Sequence, residues 1–243
     1  MNKDLIHKRF AKNLCTYRDN ARIQKQMAER LFSFLPQGVF ENVLEIGCGT
    51  GLLTEIVSKK LSYKSYIAND IVEECEDFVK EIDENITFLG GDIADLLKLN
   101  AKTYDLIISN AVLQWIENPD GFIDVLYDRL NNGGVLLLST FGVENFREIY
   151  HVLGKTLSYY SLKEWGDKLA KYSPKIEEEI RVLAFKTPKD ILKHLQLTGV
   201  NALEEAKWTK TDFKKFENGY NNFCSNIPTL TYHPIYILIN KCK

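Results

Sequence analysis

Over the first 35 positions the apolar residues Ile6, Phe10 and Leu14, and then Ile23, Met27, Leu31 and Phe34, fall at the intervals of one helical face. The spacing predicts a helical segment over residues 5–35, closed by the breaker sequence "LPQG" at 35–38. Beyond it the pattern alternates between short apolar runs and amphipathic stretches. "NVLEIG", "KSYIAND", "ITFLGGD", "YDLIISN" and "GGVLLLSTF" read as strands. "GLLTEIVSKKL", "VEECEDFVKEI", "IADLLKL" and "PDGFIDVLYDRL" read as the helices between them. The strands are apolar at consecutive positions, so both sheet faces must be covered, which predicts a parallel sheet with helices on both sides. After Phe141 the rhythm breaks. Residues 144–172 are expected to be helical and are rich in aromatics. "KIEEEIRVLAF" reads as a strand, "TPKDILKHLQLTGV" as a helix ending at Gly199, "TKTDFKKFENGYNNF" as a helix and "YHPIYILINKCK" as a last strand. The expected fold is therefore α/β, a doubly wound, mostly parallel seven-stranded sheet with helical additions. No Pro/Gly/Ser-rich linker divides the chain. One domain over 1–243 is expected: a helical lid at 1–35, a core at 36–141, a second helical lid at 142–175, and C-terminal strands and helices at 176–243.

The formal charge of the 243 residues is -2, which argues against a nucleic-acid protein that binds by bulk charge. The distribution is uneven. Residues 1–35 carry eight basic side chains (Lys3, Lys8, Arg9, Lys12, Arg18, Arg22, Lys25, Arg30) against Asp4, Asp19 and Glu29, a local excess of five positive charges. The cysteines at 15, 48, 75, 224 and 242 form no CxxC pair, so neither a metal site nor a disulfide framework is expected. The N-terminal stretch "MNKDLIHKRFAKN" lacks the apolar core of a signal peptide, and no apolar run reaches the ~18 residues of a membrane span. A cytoplasmic protein with reduced thiols and no membrane partner is expected.

"VLEIGCGTG" places Gly47, Gly49 and Gly51 between a strand and a helix, where glycine lets the backbone turn tightly and approach a ligand closely. The spacing is GxGxG rather than the GxGxxG of dinucleotide sites, and Glu45 lies within the motif. A carboxylate there repels a pyrophosphate and suits a cationic or amine-bearing ligand. Asp70 ends the second strand and Asp92 the third, at the carboxyl ends where such a fold puts its ligand. The first suits ribose hydroxyls and the second an adenine amino group. Each can equally be a helix cap, since Asp70 precedes "IVEE" and Asp92 precedes "IADLL".

This combination resembles the class I S-adenosylmethionine-dependent methyltransferases. "VLEIGCGTG" is similar to their first motif, "AND" and "GGD" to their acidic positions, "YDLIISNAVLQWIENP" to their fourth-strand motif and "LNNGGVLLLSTF" to their fifth. The likeness covers residues 42–141. It implies S-adenosylmethionine as cofactor, Asn110 beside its methionine end, and Ile71 and Ile93 beside the two acids. Further stretches resemble the malonyl-[acyl-carrier-protein] O-methyltransferases of biotin synthesis. They are "RFAKNLCTYRDNARIQKQMAERL", "SNAVLQWI", "STFGVENFREI", "ILKHLQLTGVNAL" and "LTYHPIYIL". That resemblance implies methylation of the free carboxylate of a malonyl thioester, on acyl carrier protein or coenzyme A. It also implies that Tyr17 closes over the cofactor. The alternatives are methylation of another small molecule, or a non-catalytic cofactor-binding subunit.

The acceptor side is open at this level. An anionic acceptor suggests an arginine fork, and Arg147 follows the fifth strand. It reads equally as a solvated helix arginine paired with Glu144, and Arg22 competes for the role. Tyr232 and His233 precede the last strand and are candidates to line the acceptor pocket, or a satisfied core pair. Trp115 is a candidate wall for the thioester, or core. The basic N-terminal segment suits an acidic carrier protein, or is a solvated face.

Overall fold

The computed structural model describes residues 3–99, 101–198, 208–224 and 227–242. In chain order its helices and strands are α1 (Lys3–Asn20), α2 (Arg22–Ser33), β1 (Asn42–Ile46), α3 (Leu52–Lys60), β2 (Ser65–Asp70), α4 (Cys75–Ile82), β3 (Thr87–Gly90), α5 (Ile93–Leu99), β4 (Tyr104–Ser109), α6 (Pro119–Asp128) and β5 (Leu130–Phe141). They continue with α7 (Arg147–Leu153), α8 (Leu162–Leu169), β6 (Lys175–Glu178), β7 (Arg181–Ala184), α9 (Pro188–Leu197), α10 (Lys210–Cys224), β8 (Thr229–Tyr232) and β9 (Pro234–Asn240). Seven strands form one sheet in the order β3-β2-β1-β4-β5-β9-β6. The first five are mutually parallel; β9 runs antiparallel to β5, and β6 antiparallel to β9. The doubly wound sheet is thus the one the apolar runs require.

Consecutive burial in β1 and β4 has a direct cause: alternate side chains enter two different cores. Val43, Leu106, Ile108, Val135 and Leu137 pack with Met27, Leu31, Val57 and Val79 on one face. Leu44, Ile46, Ile107, Leu136 and Leu138 pack with Ile123, Leu126 and Trp165 on the other. The chain leaves β1 toward β2 and β3, then returns on its other side to β4 and β5. That reversal opens a crevice at the carboxyl ends of β1 and β4, the place where this architecture binds ligands. Among the described residues no helix is long and apolar enough to cross a membrane.

Three local expectations need correction. The helical segment 5–35 is two helices, broken at Ala21, whose ψ of 47° is not helical. Residues 144–172 are not continuously helical. Gly154, at φ 67°, ends α7, and α8 begins afresh at Ser161 with a capping box to Glu164. "KIEEEIRVLAF" is two strands in two sheets. β6 follows β9 as far as Glu178, opposite Ile235, whereas β7 pairs with β8. The partner chain changes sheets between Tyr232 and Pro234, so its neighbour must change with it. The same change leaves Tyr232, the first residue of the expected last strand, at the end of β8, while β9 carries that strand from Pro234 to Asn240. The expected helix end at Gly199 lies outside the described residues, where α9 is traced to Leu197.

Candidate active site

β1 runs into a turn in which Gly47, Gly49 and Gly51 have φ of 68°, 52° and 80°. A side chain at Gly47 would place its Cβ 2.3 Å from Val112 Cγ2, and one at Gly51 2.3 Å from Ile82 Cδ1. The glycines are therefore required both by conformation and by space. Gly49 faces Phe10 of α1. Together with Phe10, the turn forms one wall of a cleft that Glu45, Asp70, Asp92 and Asn110 also line. Gly47, Gly49, Ile71, Ile93, Tyr17 and Trp115 line the same cleft, so most of the residues singled out in the sequence meet at one place. Gly51 caps α3 behind it.

Each acid has a distinct electrostatic setting. Glu45 is buried and accepts hydrogen bonds from Thr54 Oγ1 at 2.7 Å and from the Tyr66 hydroxyl. Burial raises its pKa to about 7, against the pull of those two donors. An acid raised on folding contributes stability that is complete below its unfolded value of 4.5 and is lost as pH rises through about 7. The ligand-free protein is therefore expected to lose roughly 3 kcal/mol from this group between about pH 5 and about pH 8, at ~1.4 kcal/mol per unit. Thermal melts of wild type and Glu45→Gln across that range test it. The variant curve should be the flatter one, and parallel curves would refute the assignment.

Asp70 is buried at the end of β2. Its Oδ2 accepts from Gly49 N at 2.8 Å and its Oδ1 from Val72 N at 2.9 Å. Burial raises its pKa, and the two backbone donors oppose the rise. The first contact ties β2 to the glycine turn; the second is a local turn rather than a cap, because α4 starts only at Cys75. Asp92 is a cap as well as a lining group, accepting from Ala94 N at 2.9 Å ahead of α5.

At the end of β4, Asn110 Oδ1 accepts from Ser139 Oγ at 2.7 Å and its Nδ2 donates to the Gln24 carbonyl at 3.0 Å. Ala111 follows at φ 58°, a left-handed conformation in a non-glycine residue. The Tyr17 ring meets Phe10 edge-on at 4.9 Å. Burial and the nearby Asp70 charge push the Tyr17 hydroxyl well above its ordinary pKa, so it stays protonated. Gln24, Cys48, Asn69, Gln114, Phe141 and Thr198 also line the cleft and had not been singled out from the sequence. Gln24 alone left a signal. It occupies the inward stripe of α2 with Ala28 and Leu31, a polar residue at a core position.

Of the five acceptor-side candidates only Trp115, on a short turn after β4, lines the cleft. Arg147 does not. It is half exposed, with Nη1 3.4 Å from Glu144 Oε2 and Nε 3.8 Å from Glu148 Oε1, which is the paired surface arginine of the second sequence reading. Arg22 is exposed and also does not line it. Tyr232 is fully buried, its hydroxyl 2.7 Å from His194 Nε2 and its ring edge-on to Phe146. Its ring lies 6.0 Å from that of Phe141, which does line the cleft. His233 accepts from Glu144 N at its Nδ1 (3.1 Å), which leaves Nε2–H to donate to Glu178 at 2.9 Å. Its ring fills the space beside Gly142, where an added Cβ would lie 2.6 Å from it. Both nitrogens being used, His233 fixes the turn after β5.

A family model described as a methyltransferase domain matches residues 17–172. The malonyl-[acyl-carrier protein] O-methyltransferase of Calditerrivibrio nitroreducens is 39% identical, over 93% of this chain and 92% of that protein. The protein of the same name from Chlorobium luteolum is 36% identical, over 98% of this chain and 95% of that protein. Among solved structures, the N-methyltransferase NodS of Bradyrhizobium japonicum with S-adenosylhomocysteine shares the fold. Its TM-score is 0.56 at 16% identity, covering 98% of this chain and 99% of that one. The glycine turn, the acids at successive strand ends and the likeness running almost end to end agree: the chain belongs to the malonyl-[acyl-carrier protein] O-methyltransferase family of S-adenosylmethionine-dependent methyltransferases.

Proposed function

We propose that this protein transfers a methyl group from S-adenosylmethionine to the free carboxylate of a malonyl thioester, on acyl carrier protein or coenzyme A, an early step toward the pimeloyl chain of biotin. The observation that carries the reading is likeness to malonyl-[acyl-carrier protein] O-methyltransferases over 93% to 98% of the chain, well past the cofactor core. The residues present fit the cofactor. The glycine turn leaves backbone where Cβ atoms would intrude, and three carboxylates suit a ligand with hydroxyls, amines and positive charge. Asp70 would hold the ribose hydroxyls and Asp92 the adenine amino group, with Ile71 and Ile93 beside them. Glu45, Gly47, Gly49 and Asn110 would receive the methionine end, under Tyr17 and Phe10. S-Adenosylmethionine supplies, when bound, a methyl group that leaves its sulfonium with the S–C electron pair returned to sulfur. A carboxylate of ordinary pKa about 4 is already ionised at neutral pH, so the chain needs no general base. Its work is to orient the carboxylate and exclude water, and such positioning supplies up to ~7–11 kcal/mol in favourable cases.

Purified protein should convert malonyl-coenzyme A or malonyl-acyl carrier protein to the methyl ester, read by mass spectrometry, and should complement a biotin-requiring strain blocked at this step. Cofactor binding without a methyl ester from either thioester would refute the reading. Carrier choice has its own test. Of the basic N-terminal residues, Arg18 pairs with Glu81 and Arg30 with Glu177, while Lys8, Lys12, Arg22 and Lys25 are exposed. The side chains of Lys3 and Arg9 lie outside the described residues. If the exposed cations steer an acidic carrier protein, added salt should slow kcat/KM more for the carrier-bound thioester than for malonyl-coenzyme A. Reversing Lys8 and Lys12 to Glu should remove that difference. Identical salt profiles in the wild type would make the patch a solvated face.

A further inference from the structure

Among the described residues four carboxamide side chains line the cleft: Gln24, Asn69, Asn110 and Gln114. Three are held by the protein itself. Asn69 donates to the carbonyls of Leu89 and Gly91 at 2.7 and 2.9 Å. Asn110 bridges the Gln24 carbonyl and Ser139. Gln114 donates to the Ala111 carbonyl at 2.6 Å and accepts from Thr140 at 3.3 Å. Gln24 differs. The residue is 3% exposed, and its Oε1 has no hydrogen-bond partner among the described residues. Buried amides are ordinarily satisfied. The atom left over is the carbonyl oxygen, on a residue that lines the cleft, so this amide has hydrogen-bonding capacity that the described residues do not use.

The acidic side chains among the described lining residues are Glu45, Asp70 and Asp92, which serve hydroxyls, amines or a cation, and none of those lining residues is Lys or Arg. An incoming carboxylate needs N–H donors instead. Asn69 spends both its amide hydrogens on backbone carbonyls, and Asn110 and Gln114 spend one each. We infer that the Gln24 carboxamide orients the acceptor carboxylate, binding one oxygen and leaving the other free, in the place where an arginine fork had been expected. This rests on a malonyl thioester being the acceptor. Asn110 anchors the Gln24 backbone to the end of β4, so the amide stands at a fixed point of the wall. A half-turn about its last side-chain bond exchanges oxygen and nitrogen, which lets the NH2 end meet the anion.

The chemistry favours a neutral donor. A guanidinium adds a full opposite charge, and often a second parallel hydrogen bond, to what an amide N–H gives a carboxylate. Methyl transfer consumes the carboxylate charge, so a contact stronger before the reaction than during it slows the reaction. An amide fixes direction with less of that penalty. Gln24 is accordingly a positioning residue, and Arg147, paired with Glu144 and Glu148, is spared the role.

The test is steady-state kinetics on malonyl-coenzyme A, or malonyl-acyl carrier protein if wild type uses only that, at saturating S-adenosylmethionine. It is paired with calorimetric titration of S-adenosylhomocysteine. Gln24→Met keeps length and helix preference and so guards against misfolding. Its KM for the thioester should rise roughly 10- to 100-fold, the effect of losing one hydrogen bond to a charged group. S-adenosylhomocysteine affinity should stay within about threefold, and Gln24→Glu, which adds repulsion, should be worse. An unchanged KM in Gln24→Met overturns the inference. So does a loss that appears in S-adenosylhomocysteine affinity instead, or a KM rise produced by Arg147→Ala and not by Gln24→Met. If wild type methylates neither thioester, the substrate assignment falls and the inference with it. A wild type that turns over while Gln24→Met is indifferent removes the inference alone.

Discussion

Asp70→Ala should cost the protein its cofactor while leaving the fold in place. The carboxylate stands at the end of β2, lines the cleft and bonds two backbone N–H groups, Gly49 and Val72. The carboxylate lines the cleft, so the two ribose hydroxyls can add to these contacts. A hydrogen bond to a charged group contributes about 1.5–3 kcal/mol, and two are lost, so S-adenosylmethionine affinity should fall by at least ~100-fold. The turn also loses the contact that ties Gly49 to β2, which adds to the loss. Asp70→Asn keeps the volume and one acceptor oxygen, and should fall between the two. Calorimetry that gives Asp70→Ala an affinity within about threefold of wild type would show that the ribose is held elsewhere.

The parts of this site that were legible in the sequence are those fixed by local chemistry. Three glycines with left-handed φ advertise themselves, because few other residues adopt that conformation cheaply. Glu45, Asp70 and Asp92 stand within or just after strands whose apolar runs are unmistakable, so their place at the carboxyl edge follows from the strands. The sheet was legible for the same reason, as burial on both faces forces consecutive apolar residues.

What was not legible depends on direction rather than position. Arg147 was rightly placed after the fifth strand, but sequence does not say which way a helix leaves it. Here Glu148 points inward, bonded to Thr231 N at 2.9 Å and to the hydroxyls of Thr229 and Thr231. The preceding position on the helix is turned ~100° away, and Arg147 faces Glu144 at the surface. Gln24, Phe141 and Thr198 come from α2, β5 and the end of α9, and only the packed fold brings them to one wall. The break at Ala21 was equally hidden, since the apolar spacing on either side reads as one helix.

Gly47→Ala should destabilise the protein severely, and part of that loss should be recoverable at a named position. The residue sits at φ 68°, and a left-handed alanine costs roughly 1–2 kcal/mol. Its Cβ would also lie 2.3 Å from Val112 Cγ2, far inside contact distance. Forcing that overlap on a packed site adds about 1–3 kcal/mol. The sum, roughly 2–5 kcal/mol, is a large part of the ~5–15 kcal/mol that holds an ordinary domain together. Val112 lines the cleft, so displacing it should also weaken cofactor binding. The two contributions can be separated, because only the second involves Val112. Val112→Ala removes the clashing methyl, so in the double variant the steric share should return while the backbone share remains. Denaturant unfolding of the wild type, both single variants and the double variant measures this as a coupling energy. A favourable coupling of about 1–3 kcal/mol is expected. Strict additivity would mean that the turn shifts away from Val112 rather than pressing on it, and the close fit of Gly47 against β4's end would then not be what fixes this wall.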